Sequence, residues 1–133
     1  MTPFPRTCSI LTATVLCLAG CGEPVTESPR TTHGGPSAFG MTAGDVVHAL
    51  ENSGQVILHP TDTTSADCPS IGCVQAVTTD RFRILSFRGT GVAQKYAGEK
   101  ALHQVENVVV SFSPPVPPDE RSRIWSAVTR AVR

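Results

Sequence analysis

Residues 42–133 predict an α+β fold: a small two-layer sandwich in which a four-stranded, largely antiparallel sheet carries about three helices on one face. Two observations predict it. Runs rich in Val, Ile, Phe and Thr, typical of strands, alternate with segments in which apolar residues recur at helical spacing. Two of these runs meet at Thr79 and Asp80, which is a connection short enough for a hairpin and therefore favours antiparallel pairing.

The first helix is expected to begin after Thr42, because Asp45 stands where the acid of a capping box belongs. An apolar stripe follows, formed by Val46, Val47 and Leu50. Gly54 is a typical helix stop. Residues 55–59, QVILH, are predicted to form the first strand, and residues 60–72 a long polar loop.

The next two strands are predicted at 74–79 and 81–87. In the second, Arg81 and Arg83 alternate with apolar residues, which predicts one buried face and one solvated face. Thr90 is a candidate cap for a second helix, whose core positions are Val92, Tyr96 and Leu102.

Residues 105–112, VENVVVSF, are predicted to form one continuous strand. The proline-rich stretch 114–118 ends it and opens the last helix. Asp119 and Glu120 fall in the first turn of this helix, and Arg130 and Arg133 in its last turn, as the helix dipole favours. Its core side is expected to consist of Ile124, Trp125 and Val128.

Residues 1–20 have the layout of an export signal: Arg6, an uncharged stretch over 9–19, then small residues. The stretch is shorter than the roughly 20 residues that a membrane-spanning helix needs. The run Leu18-Ala19-Gly20-Cys21 resembles the bacterial lipobox. The resemblance implies that residues 1–20 are removed and that the Cys21 thiol carries a diacylglycerol. The alternative is an ordinary secretory signal cut elsewhere, with Cys21 an incidental thiol.

The acyl chains on Cys21, such as palmitate, would hold the mature protein on the extracytoplasmic face of the cell membrane, since two chains give stable anchoring. Residues 21–41 are rich in Pro, Gly, Ser and Thr and are expected to form a flexible tether. Its random-coil span is about 25 Å. The domain organisation is therefore signal 1–20, lipidated N-terminus and tether 21–41, and one domain at 42–133.

Charge composition limits the classes of partner, and the cysteine count predicts a disulfide. Eleven basic residues balance eleven acidic ones, so neither composition nor the export signal favours a nucleic-acid partner. Of five cysteines, Cys8 and Cys17 leave with the signal and Cys21 takes the lipid. Cys68 and Cys73 remain as an even pair in an oxidising compartment, and we expect a disulfide between them.

The region from Cys68 to Phe112 combines a cysteine pair before a strand, a Thr-Thr-Asp turn, and a Ser-Phe strand that leads to a Lys-Tyr-Ala helix. In this pattern it resembles small actinobacterial lipoproteins to which no activity is assigned. The resemblance supports the expected location and fold. It implies no mechanism, because none of the shared motifs is catalytic.

The remaining candidate residues have ordinary structural alternatives. His59, Asp62 and Asp67 share one predicted loop and could converge on a metal, but aspartates in loops usually form turns. Gly89-Thr90-Gly91 could receive an anion, and a turn with a helix cap explains it equally. The cluster Arg81, Arg83 and Arg88 could meet an acidic lipid or partner, or form a solvated strand face. No nucleophile elbow is present, so we predict no catalytic, metal or cofactor-binding residues.

The sequence thus favours a non-enzymatic binding or interaction module whose partner is an envelope protein or a small ligand. The alternative from another class is a small cell-envelope enzyme or thiol–disulfide factor that uses the Cys68–Cys73 loop and His59. The spacing of this pair differs from the C-x-x-C of such factors, which favours a structural disulfide. A third hypothesis is a carrier that holds an apolar ligand between sheet and helices.

Overall fold

The structure, a computed structural model, describes residues 40–133. The predicted signal 1–20, the lipidation site Cys21 and all of the predicted tether except residues 40 and 41 lie outside the described residues. No helix in the described part is both long and apolar enough to cross a membrane.

Residues 40–133 form four helices and five strands. The helices are α1 (Ala43–Asn52), α2 (Thr64–Ile71), α3 (Thr90–Lys100) and α4 (Pro118–Val132). The strands are β1 (Thr61–Asp62), β2 (Gln75–Thr78), β3 (Phe82–Ser86), β4 (His103–Val105) and β5 (Val108–Phe112). They pair in the order β1-β2-β3-β5-β4, and every pairing is antiparallel. This confirms the α+β class and the antiparallel sheet, and it corrects the expected four strands and three helices.

Helices cover both faces of the sheet, so the expected two-layer arrangement is wrong. One core cluster joins α1 and α4 to one side of the strands, and a second joins α2 and α3 to the other side. The reason lies in β5, where Val108, Val109 and Val110 are consecutive and all fully buried. A strand that is apolar on successive residues must be covered on both faces. The solvated face expected for β3 is wrong for the same reason, since Ile84 and Leu85 are both buried.

Helix α1 begins as its sequence predicts. The backbone N–H of Asp45 donates to Thr42 Oγ1 at 3.2 Å, and the N–H of Thr42 donates to Asp45 Oδ2 at 2.9 Å. These two bonds complete a capping box. Gly54 follows the helix with φ at +84°, a conformation that glycine adopts without steric penalty.

The strand predicted at 55–59 does not form. The residues have no strand pairing, and the first strand is the short β1 that follows them. The long polar loop predicted at 60–72 is also wrong, because it contains β1 and α2. Helix α2 is an eight-residue helix that holds Pro69, and its one buried residue, Cys68, packs in the second core cluster. Tertiary burial rather than local propensity therefore stabilises it.

The single strand predicted at 105–112 is a hairpin, in which β4 and β5 are joined by a turn at Glu106 and Asn107. Glu106 has φ at +49°, and the buried Asn107 side chain donates from Nδ2 to the carbonyl oxygens of Met41 (2.9 Å) and Phe87 (3.1 Å). Asparagine is a frequent turn residue, and this signal outweighs the surrounding β-branched run.

The last two helices follow the prediction more closely. Helix α3 starts at Thr90, but Gly89 is its N-cap and no side chain caps it. Its buried residues are Ala93 and Ala97, whereas the predicted core residue Val92 is 51% exposed. In α4, Ile124 and Val128 are buried as expected, and Trp125 packs against the same core.

Candidate binding cleft

A cleft of about 220 Å³ opens at the end of the sheet where α1 stops, β3 starts and α4 begins. Its lining combines an apolar floor with a charged rim. The floor is formed by Leu50, Ile57, Phe82 and Ile124, and the rim by Gln55, Val56, Arg81, Glu120 and Arg123. The floor residues belong to, or pack against, the core between α1, α4 and the sheet, so the rigid core holds them in place.

Residues 55–57 line one wall of this cleft and continue into Leu58 and His59, and we call residues 55–59 the 55–59 segment. The N–H of Gln55 donates to the carbonyl of Leu50 at 3.0 Å, which turns the chain off α1. Beyond it, Ile57 packs against the core, whereas Val56 is 77% exposed and Leu58 is 39% exposed. This alternation of inward and outward side chains is typical of an extended segment.

The backbone of this segment is largely unpaired. The N–H and C=O groups of Val56 and Ile57 make no hydrogen bond to any other described residue. The carbonyl of Leu58 accepts from the N–H of Asp80 at 3.2 Å, which places the segment beside the β2–β3 turn. An exposed segment with free backbone groups and outward apolar side chains has the properties of an unpaired sheet edge.

The far end of the segment is fixed by a second contact to the same turn. His59 Nδ1 lies 2.8 Å from Asp80 Oδ2, and His59 has φ at +49°, which is unusual for a residue that precedes proline. Within residues 40–133 the other ring nitrogen of His59 has no hydrogen-bond partner, so no described hydroxyl or thiol is bonded to it. The pair therefore joins the end of the 55–59 segment to the β2–β3 turn.

Charges on the rim are arranged in pairs. Arg81 forms an ion pair with Glu120 across the mouth of the cleft. Arg123 Nη2 lies 3.3 Å from Asp119 Oδ2, and both side chains are about three-quarters exposed. Beyond Arg123 the surface continues as a shallow shelf lined by Gln55, Ser122, Arg123, Ser126 and Arg130, which we call the basic shelf.

No family model, curated protein or solved structure matches this chain. Its activity must therefore be argued from its own residues.

The residues that the sequence suggests as candidate metal ligands lie apart in the structure. His59 contacts Asp80. Asp62 accepts hydrogen bonds from the Thr64 N–H at 2.8 Å and from Gln75 Nε2 at 3.1 Å. Asp67 accepts one from Thr63 Oγ1 at 2.7 Å. Among residues 40–133 no three His, Cys, Asp or Glu side chains come together. The side chain of Thr64, then its N–H, and the Gln75 amide hold the pKa of Asp62 below its ordinary value.

The three arginines of β3 and its flanks do not form one patch. Arg81 lies at the cleft with Glu120, while Arg83 points to the opposite face, where its Nε is 3.7 Å from Asp67 Oδ2. Arg88 follows β3 and is exposed. Arg81 lies in the turn before β3, outside the strand alternation that directs Arg83 to the same face as Leu85. At Gly89-Thr90-Gly91, Gly89 is the N-cap of α3, and Thr90 and Gly91 lie in its first turn.

Cys68 and Cys73 lie at disulfide-bonding distance, with their Cα atoms 4.7 Å apart. Cys68 is on α2 and Cys73 lies two residues before β2. The pair therefore links a helix, rather than the expected loop, to the strand that follows.

The sequence does not predict the cleft, because its floor residues are far apart along the chain. The only local signal is a short apolar run between Gly54 and Pro60.

Proposed function

We propose that this chain is a lipid-anchored binding module on the extracytoplasmic face of the cell membrane, and that the cleft beside the 55–59 segment binds its partner. The observation that carries the proposal is the cleft itself: an apolar floor held by the core, bordered by an exposed apolar segment with unpaired backbone.

The first support is the N-terminal sequence. The lipobox match at residues 18–21 supports lipid on Cys21, and the Pro- and Gly-rich composition of the residues that follow supports a tether. Together they would keep the folded domain near the membrane surface while leaving the cleft free to meet a partner.

The second support is the chemistry of the cleft, which suits binding better than catalysis. Its volume is below the roughly 300–1,000 Å³ of sites that enclose a small-molecule substrate or cofactor. Its carboxylate, Glu120, is paired with Arg81 rather than poised as an acid or base. Val56, exposed at the rim, and Leu58, exposed two residues further along the segment, are the kind of apolar surface that a partner covers.

Site-specific crosslinking in intact cells tests the proposal. A photocrosslinking phenylalanine analogue replaces Val56, at the cleft, or Val92, which is exposed on α3 and does not line the cleft. We expect a discrete crosslinked partner from position 56 and none from position 92. The same experiment with Cys21→Ala is expected to lose this product, because the protein would no longer be held at the membrane. Equal crosslinking from both positions would contradict the proposal.

A further inference from the structure

We infer that the cleft and the basic shelf together bind one extended, acidic peptide segment of a partner protein, which adds as a strand to the 55–59 segment. The inference rests on the proposed function and names the chemical class of its ligand. Three independent features of the described residues support it: the free backbone, the size of the cleft and the distribution of charge.

The free backbone groups select for a peptide. Val56 and Ile57 have no hydrogen-bond partners for their N–H and C=O groups among residues 40–133. In an extended segment, successive residues offer these groups to opposite edges. The edge that Val56 shares with Leu58 faces the β2–β3 turn, so an added strand would pair with the free N–H and C=O groups of Ile57 on the other edge. A ligand that supplies matching donors and acceptors at that spacing is another extended chain.

The size of the cleft selects for one side chain. A volume of about 220 Å³ over Leu50, Phe82 and Ile124 accommodates a branched apolar side chain but not a drug-sized molecule. Alternate side chains of an added strand point to the same face. One residue would therefore enter the cleft while its neighbours stay on the surface.

The charge distribution selects for an acidic segment. Glu120 is engaged by Arg81, so the carboxylate of the rim is already neutralised. On the shelf, Arg130 has no ion-pair partner among the described residues, and Arg123 has only the exposed Asp119. Exposed pairs of this kind are weak and exchange readily. Because Gln55 and Arg123 border both the cleft and the shelf, an apolar anchor and a neighbouring carboxylate could be bound at once.

Synthetic peptides test the inference on the full chain purified in a nonionic detergent. The probe is a fluorescent peptide of about six residues, a typical strand length, in which Leu and Glu alternate. Two comparators change one property each: one carries Lys in place of Glu, and the other carries N-methyl groups on two successive central amides, so that both hydrogen-bonding edges are blocked. We expect each change to weaken binding by about tenfold, because like charges repel and a backbone hydrogen-bond edge is lost.

Variants locate the site. Val56→Glu places a carboxylate at the mouth of the cleft and is expected to weaken binding of the Leu–Glu peptide by about tenfold, while Val92→Glu on α3 leaves it unchanged. Arg130→Ala removes an exposed side chain that packs in no core cluster, and a loss of about two- to fivefold is expected. Circular dichroism of each variant confirms that the fold is retained.

The outcomes distinguish this inference from the proposed function. Equal affinity for the N-methylated peptide would overturn strand addition. Binding to phosphatidylglycerol vesicles that depends on Arg130, without peptide binding, would also overturn the inference and assign the shelf to the lipid surface. If the peptides fail while Val56 still crosslinks a partner in cells, the peptide class is wrong and the binding module stands. If the crosslink fails as well, both are wrong.

Discussion

At the scale of single residues, Asn107 does most to join distant parts of the chain. It is 5% exposed, and its side chain donates to Met41, where the described chain begins, and to Phe87, at the end of β3. Its own carbonyl accepts from the N–H of Phe87 at 2.9 Å. One turn residue thus connects the N-terminal approach, the central strand and the β4–β5 hairpin.

Asn107→Ala is expected to lower the free energy of unfolding by about 2–3 kcal/mol, because a buried and a partly buried carbonyl oxygen lose their donors. Urea denaturation followed by circular dichroism measures the change. Asn52→Ala is the matched control, since Asn52 is exposed at the end of α1 and a surface change of this kind alters stability by less than about 0.5 kcal/mol. Similar losses in the two variants would contradict the role given to Asn107.

Asp62 provides a prediction about pH. Its folded-state pKa is lowered, first by the side chain of Thr64, so the ionised form is favoured by folding. The resulting stability is fully present above the unfolded-state pKa of about 3.9 and is lost as pH falls through the lower folded-state value.

Because Asp62 is exposed, solvent screening limits the effect to a few tenths of a kcal/mol. The measurement is the free energy of unfolding of the wild type and of Asp62→Asn between neutral pH and about pH 3. The wild type is expected to be slightly more stable at neutral pH, with the difference vanishing in acid. A difference that grows in acid would show that the sign is wrong.

At the scale of elements, the sequence predicts well those that are specified by adjacent residues. The Thr42–Asp45 capping box fixes the start of α1, and the proline-rich stretch fixes the start of α4. The prediction of a strand at 55–59 is wrong. Its β-branched residues are typical of strands, but a strand also needs a hydrogen-bonded neighbour, and the tertiary fold decides whether there is one. The prediction of a loop at 60–72 is wrong for the opposite reason. Pro69 and the turn-forming residues favour a loop, but the burial of Cys68 in the core stabilises the helix α2.

The disulfide is expected to support α2 in particular. The loop that it closes is short, so the chain-entropy model gives about 2 kcal/mol of stabilisation. Replacing Cys68 and Cys73 together by serine should therefore lower the free energy of unfolding by about this amount, with Ser70→Ala, exposed on α2, as the control. In the double variant, amide exchange should accelerate more in α2 than in α1, relative to the wild type.

The reduction potential of the same cysteine pair distinguishes a structural disulfide from a thiol–disulfide factor. A structural disulfide resists the glutathione pool and has a potential below about −300 mV. Equilibration with thiol buffers, read by mass spectrometry of alkylated thiols, measures it. A potential near −200 mV, in the range of glutaredoxins, would instead support the thiol–disulfide factor.

At the scale of the whole molecule, covering both faces of the sheet determines where a binding site can lie. Because α1 and α4 fill one face and α2 and α3 the other, the sheet has no large open face for a ligand. The cleft forms instead at the end of the sheet, from residues as distant in sequence as Leu50, Phe82 and Ile124. The sequence could indicate that each is apolar, but only packing brings the three together.

The proposed lipid anchor on Cys21 would determine where this cleft can act. If Cys21 carries two acyl chains, each buried methylene contributes about 0.8 kcal/mol and the protein sediments with membranes. Cys21→Ala is expected to release it into the soluble extracytoplasmic fraction, whereas Cys17→Ala, which changes a cysteine within the proposed signal 1–20, leaves it in the membrane fraction. An unchanged distribution in Cys21→Ala would favour an ordinary secretory signal. The partner of the cleft would then be sought away from the membrane, because a secreted domain is not confined to that surface.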